Sequence, residues 1–189
     1  MSINILDMVK SQIGGQIAGQ IAGKFGVNEQ TAKSGLDALL PTILGGLVSK
    51  VSSPGGTEAL GKTLDEGDYD GGMLDNLGDI FSGGGADELA GKGGGLVSMI
   101  FGDKAAVLGP IIGKLTGMKS DSVMSMLAML APLVMSFLGK ARSSGGMDTN
   151  GLATMLMSQK DAIANDMPAG VSDAMGLGLL SQSKPAATA

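Results

Sequence analysis

The chain has no cysteine, no histidine and no tryptophan. Without cysteine there is no disulfide framework, no thiolate nucleophile and no sulfur-ligated metal. Without histidine the commonest general base and the commonest transition-metal ligand are gone as well. Arginine is nearly absent too: Arg142 stands alone, so the bidentate fork with which proteins grip nucleic-acid phosphates is scarce. Four Phe and one Tyr make no stacking platform for bases. With a net charge of −5, these absences argue against a nucleic-acid partner. They also give no reason to expect a metal or a cofactor. The acids and bases that remain are Asp, Glu, Lys and Tyr69, mostly in segments with loop character, and no motif brings two of them together, so no enzymatic activity is expected. A reducing, cytoplasmic location fits the missing cysteines. The opening MSINILDMVKSQIGG, with Asp7 and no basic lead-in, lacks the pattern of a secretory signal.

What the chain does have is glycine, methionine and one long uncharged stretch. From Ser122 to Gly139 there is no charged residue, and Pro132 sits in the middle. Apolar side chains fill nearly every position, while Ser122, Ser125 and Ser136 fall on a narrow stripe, which is helical rather than strand periodicity. A helix this apolar must be covered on most sides. Pro132 costs about 3 kcal/mol in a helix interior and predicts a kink, but each buried Leu, Met or Phe returns roughly 1.5–3 kcal/mol. The same run meets the lower length limit for a membrane span and is followed by Lys140 and Arg142.

Internal similarity is the most specific signal. IAGQIAGKF at residues 17–25 matches VLGPIIGKL at 107–115, ninety positions later, pairing Gly19 with Gly109 and Gly23 with Gly113. At an offset of ninety-one, Gly26 to Gly45 then align with Gly117 to Ser136, so that Pro41 falls on Pro132. Each unit reads as a helix, a glycine stop at Gly26 or Gly117, and a second helix with a proline kink at Pro41 or Pro132. Asn28 and Ser120 are suitable N-caps. The first helix of each unit has small residues four apart, Gly15, Gly19 and Gly23, then Gly109, Gly113 and Gly117, a spacing that predicts a close helix contact in a bundle.

The two second helices differ. Lys33, Gly35, Asp37, Ala38 and Thr42 of the first are replaced by Met124, Met126, Ala128, Met129 and Leu133, so one copy keeps a solvated face while the other is apolar all round. Flexible methionine suits irregular contact surfaces as well as cores. Met124, Met126, Met129, Leu133, Met135 and Phe137 are therefore candidate self-association residues. The same pattern also fits a central core helix wrapped by the rest of the chain.

Between the units, DEGDYDGGMLDNLGDIFSGGGADELAGKGGG (65–95) reads as one short amphipathic helix among Gly/Asp loops. Glu66, Asp68, Asp70 and Gly71 imitate the start of a calcium loop, but Leu77 stands where the bidentate Glu belongs, so a solvated acidic loop is the better reading. Gly91 and Lys92 precede Gly93 rather than Ser or Thr, so a phosphate loop is also excluded. The chain closes with a helix expected over about 149–165, a short helix led by Pro168, and a frayed tail, SKPAATA.

LVSMIFGDK, the glycine-spaced helix after it and MLAMLAPLVMSFLGK together resemble the bacterial YidB-like family, a domain of unknown function (number 937). MLMSQKDAIANDMPAGVSDAMG is similar to the C-terminal part of its longer members. The resemblance is strongest from Leu96 to Lys140. It implies a small all-helical bacterial protein with no established activity, and it brings no catalytic residues with it.

The expected fold is thus an all-α helical bundle of two duplicated helix-pair units joined by a Gly/Asp-rich connection. Residues 1–64 form the first unit, 65–95 the connection, 96–158 the second unit, and 159–189 a C-terminal helical segment and tail. The expected function is a non-enzymatic structural or scaffold protein that self-associates as a homo-oligomer through its Met-rich helix. Association with a membrane or lipid through that helix is the alternative.

Overall fold

The computed structural model describes residues 4–69 and 71–176, and every regular element among them is helical. The tail expected to fray lies outside the described residues. In chain order the first elements are α1 (Ile5–Val9), a π-helical turn (Lys10–Gly14), α2 (Gly15–Phe25), α3 (Glu29–Val51) and α4 (Gly56–Glu66). Two short helices, α5 (Gly72–Asp75) and α6 (Leu77–Ser82), lead to α7 (Gly85–Phe101), a 3-10 turn (Gly102–Lys104) and α8 (Ala105–Thr116). The rest is α9 (Ser120–Ser144), α10 (Thr149–Ser158), α11 (Lys160–Asp166) and α12 (Ala169–Met175).

Local chemistry sets the helix ends. The Asn28 side chain accepts a hydrogen bond from the Thr31 amide at 2.7 Å and so caps α3, with Glu29 in its positive first turn. At the equivalent place Ser120 is already helical, and Lys119 precedes it in extended conformation without a side-chain cap. Gly26 and Gly117 both stop their helices in the left-handed conformation, at φ 63° and 76°, where a side chain would be strained.

These landmarks recur ninety-one residues apart: Gly26 and Gly117, the starts of α3 and α9, and the left-handed Gly55 and Gly146. Burial keeps the same offset through α2 and α8. Ile17, Ala18 and Ile21 are buried, as are Leu108, Gly109 and Ile112, while Gly15, Gly19 and Gly23 are exposed, as are Ala106, Pro110 and Lys114. The structural landmarks thus lie one residue from the offset of ninety that pairs the glycines in sequence, and on a helix one residue is a rotation of about 100°.

The two long helices form the centre. α3 is buried without interruption from Ala38 to Val48, and α9 from Met129 to Gly139. They touch each other; α7, α8 and α5 cover α9, while α2, α11, α12 and α8 cover α3. Both helices run unbroken through their prolines, which are themselves buried.

The largest departure from the sequence reading lies in the connection. The run GADELAGKGGG, expected as loop, forms the first two-thirds of the seventeen-residue α7, so the expected unit boundary at 95/96 falls inside a helix. Each interior glycine costs such a helix about 1 kcal/mol relative to alanine. The compensation is contact: a methyl group on Gly93 would collide with the Ala128 carbonyl oxygen, so only glycine lets α7 come this close to α9. That oxygen has no amide partner four residues on, because the residue there is Pro132.

Candidate functional site

The residues expected to carry self-association are instead in the protein's own core. Met126, Met129, Leu133 and Met135 are 0% exposed and Phe137 is 5% exposed, while Met124 is half-buried against Gly109. Met126 fills the groove that Gly35 leaves in α3, its sulfur 3.2 Å from where a methyl group would sit. The correction has a physical cause. A chain of this size can hide an apolar rod when it supplies a second rod, α3, and an additional helix, α7, which the sequence reading had placed in a loop. The wholly core reading of α9 is the one the structure follows.

The expected close-contact glycines divide. A methyl group on Gly109 would stand 3.2 Å from Met124 Cγ, and one on Gly113 would stand 2.8 Å from the Met118 carbonyl oxygen, so both let α8 press on the start of α9. Gly117 is a helix stop with open space around it. Gly15, Gly19 and Gly23 face solvent with nothing within 4 Å, contrary to expectation, because the buried face of α2 is the one holding Ile17, Ala18 and Ile21.

Among the described residues no three His, Cys, Asp or Glu side chains come together as a metal site. Asp70 of the calcium-loop imitation lies outside the described residues, and Glu66 is the last residue of α4, where it pairs with Lys62 at 3.8 Å. An open cleft of about 930 Å³ lies between α4 and the start of α10, lined by Glu58, Lys62, Asp65, Glu66, Thr149 and Asn150. Its charges are largely matched internally, since Asp65 is held by Arg142 at 2.5 Å. Lys92 of the failed phosphate loop sits on α7 and pairs with Glu88 at 3.1 Å.

The surface element that sequence reasoning missed is α8. It has one charged residue, Lys114, in its whole length, yet only one side of it is covered. Val107 is 46% and Leu115 59% exposed, and Ala106 and Pro110 are exposed beside them. A helix apolar all round is ordinarily enclosed. The signal was available as the scarcity of charge in AAVLGPIIGKLT, which the stronger apolar run of α9 overshadowed.

Among the described residues, Lys10, Lys24, Lys33, Lys62, Lys92, Lys140 and Arg142 each pair with a carboxylate. Lys50, Lys104, Lys114, Lys119 and Lys160 do not, and three of these five lie on α8 or near its ends; Lys104 donates instead to the Met175 carbonyl at 3.1 Å.

No curated protein and no solved structure matches the chain. The profile of a bacterial protein family of unknown function, DUF937, matches residues 7–141, a span running from inside α1 to near the end of α9. It takes in both central helices, the glycine-bearing α7 and the half-covered α8, and leaves α10, α11 and α12 outside. On that match over most of its length, the chain belongs to the DUF937 family of bacterial proteins of unknown function.

Proposed function

We propose that this protein is a non-enzymatic, cytoplasmic structural module that works by binding further copies of itself. The observation behind this reading is α8, whose outward face presents Val107, Pro110 and Leu115 to solvent although the helix has the composition of an interior one. Covering such a face releases ordered water and is favourable by about 25 cal/mol for each Å² of apolar surface removed. The absence of histidine and cysteine from the sequence supports a role without catalysis. We also read the recurrence at ninety-one residues as a duplication, in which α2 and α8 are counterparts that have diverged on their outer faces.

The face is modest. A helix of this length is about 18 Å long and cannot by itself supply the ~800 Å² per partner of a standard interface. Weak, concentration-dependent association is therefore expected. Sedimentation velocity over a range of concentrations tests it: weight-average sedimentation coefficients that rise with concentration support the reading, and a constant monomer value refutes it.

Attachment to lipid is the second reading, and it too has an observation in its favour. The stretch Gly85–Thr116 is apolar enough for a membrane span by composition, and only 39% of its most apolar window is buried. Against it, that stretch bends at Gly102 and carries Asp87, Glu88, Lys92, Asp103, Lys104 and Lys114. The other stretch of this kind, Ser120–Ser144, is 78% buried, as befits the centre of a bundle.

A further inference from the structure

We infer that the cleft where α3, α7 and α12 end and α8 begins binds a small organic phosphate, with Lys50 and Lys104 as the groups that hold the phosphate. The inference does not rest on self-association, because it uses no residue of the outward face of α8.

The cleft has a volume of about 370 Å³. Ser49 and Lys50 reach it from the end of α3, Met99 and Phe101 from the end of α7, Lys104 from the turn into α8, and Met175 from the end of α12. None of the residues lining it is a carboxylate, which inverts the local sign of a chain whose net charge is −5. The other charged clefts described are compensated. Between α4 and α10, Glu58, Asp65 and Glu66 surround Lys62. Beside α6 and α7, Glu88 faces Lys92 at 3.1 Å, and Lys140 next to Phe137 pairs with Asp75 at 3.2 Å. Asp103, next to Lys104 in sequence, is not among the lining residues of the α3–α8 cleft.

The donors at this cleft are partly uncommitted. Lys104 donates one hydrogen bond to the Met175 carbonyl oxygen at 3.1 Å, which fixes its ammonium at the cleft and leaves two of its three N–H groups. Lysines at helix ends ordinarily serve the last carbonyls, and Lys104 does so in part. Lys50 does not: neither its ammonium nor the Ser49 hydroxyl has a partner among the described residues. The start of α8 has no side-chain cap and adds the positive end of its backbone dipole.

Two ammonium groups suit a phosphate monoester, which carries about two negative charges near neutral pH, and lysine binds phosphate as a point charge. The cleft is larger than a bare oxyanion needs, and its volume falls at the lower end of the range of about 300–1,000 Å³ for small-molecule sites. Met99, Phe101 and Met175 line the remaining space, so the phosphate carries an apolar organic group.

Isothermal titration of the full chain with phenyl phosphate, at an ionic strength held constant with sodium chloride, tests the assignment. A dissociation constant of about 0.1–1 mM is expected for a cleft this open, with inorganic phosphate about fivefold weaker. Lys50→Gln and Lys104→Gln, at half-buried and exposed positions, should each weaken binding about tenfold without changing the far-UV circular dichroism. Lys114→Gln removes an equally unpaired charge outside the cleft and should weaken it less than about twofold. If phenyl phosphate does not bind up to about 10 mM, or all three substitutions weaken it equally, the site is wrong and the two lysines only neutralise helix ends. Equal affinity for inorganic phosphate would overturn the organic part of the ligand. Binding to phosphatidylglycerol vesicles that depends on Lys50, without binding of phenyl phosphate, would place the phosphate in a lipid headgroup and overturn the small-molecule assignment.

Discussion

Replacing Gly93 with alanine offers the sharpest test of how α7 and α9 meet. A methyl group there would overlap the Ala128 carbonyl oxygen, an atom of α9's own backbone that no rotamer change can move aside. Relief requires α7 to retreat along its whole contact with α9, which spoils the fit of Leu89, Leu96 and Val97, each less than 10% exposed. The control is one residue away: Gly94 sits in the same helix, is exposed, and has nothing within 4 Å of a would-be methyl group. Both substitutions gain the same helix propensity, about 1 kcal/mol in favour of alanine. Their difference therefore isolates the steric cost, which for overpacking against an immovable neighbour falls near the top of the usual range of about 1–3 kcal/mol. Gly94→Ala is expected to raise the melting temperature by about 2–4 °C, and Gly93→Ala to melt about 4–12 °C below Gly94→Ala. Thermal denaturation followed at 222 nm gives both values. Equal melting temperatures, or a more stable Gly93→Ala, would refute the claim that glycine is required for the helix crossing.

Two further outcomes follow from burial. Met126→Lys places an ammonium group at a position with 0% exposure, at a cost of more than about 4 kcal/mol, so the cooperative melt should be lost; a native-like melt would show that Met126 is not in the core. Tyr69, the only tyrosine, has its phenol pushed above 10.0 chiefly by burial, with Lys92 opposing in part. Its neutral form is thus favoured by the fold: that contribution to stability is whole below about pH 10 and is lost as pH rises through the elevated folded value. Absorbance titration at 295 nm should place its ionisation above that of the unfolded chain in denaturant, and identical midpoints would contradict the burial.

Much of this architecture was legible in the amino-acid sequence. The all-helical class followed from apolar periodicity, the left-handed stops at Gly26 and Gly117 from the position of glycine after each periodic run, and the cap at Asn28 from its side chain. Three features were not legible, each for a physical reason. Helix propensity counts against GADELAGKGGG at every glycine, and the gain that overrides it is a contact with Ala128, thirty-five residues away in sequence. α9 packs against α7 as well as α3, so misplacing most of α7 in a loop left α9 looking uncovered. Glycines pair at an offset of ninety in sequence, whereas burial in α2 and α8, the glycine stops and the starts of α3 and α9 recur at ninety-one, a one-residue difference that pattern matching does not resolve. The α8 face went unnoticed because periodicity locates an apolar side but cannot say whether neighbouring elements suffice to cover it.

The proline in α9 has a reach beyond its own helix. Pro132 has no amide to offer the Ala128 oxygen, and α7 brings Gly93 so close to that oxygen that a methyl group would collide with it, an approach close enough for a weak C–H···O contact from the bare Cα. Restoring an amide at position 132 would give that oxygen its usual donor without making room for a side chain, so glycine stays required at position 93 whatever residue stands at 132.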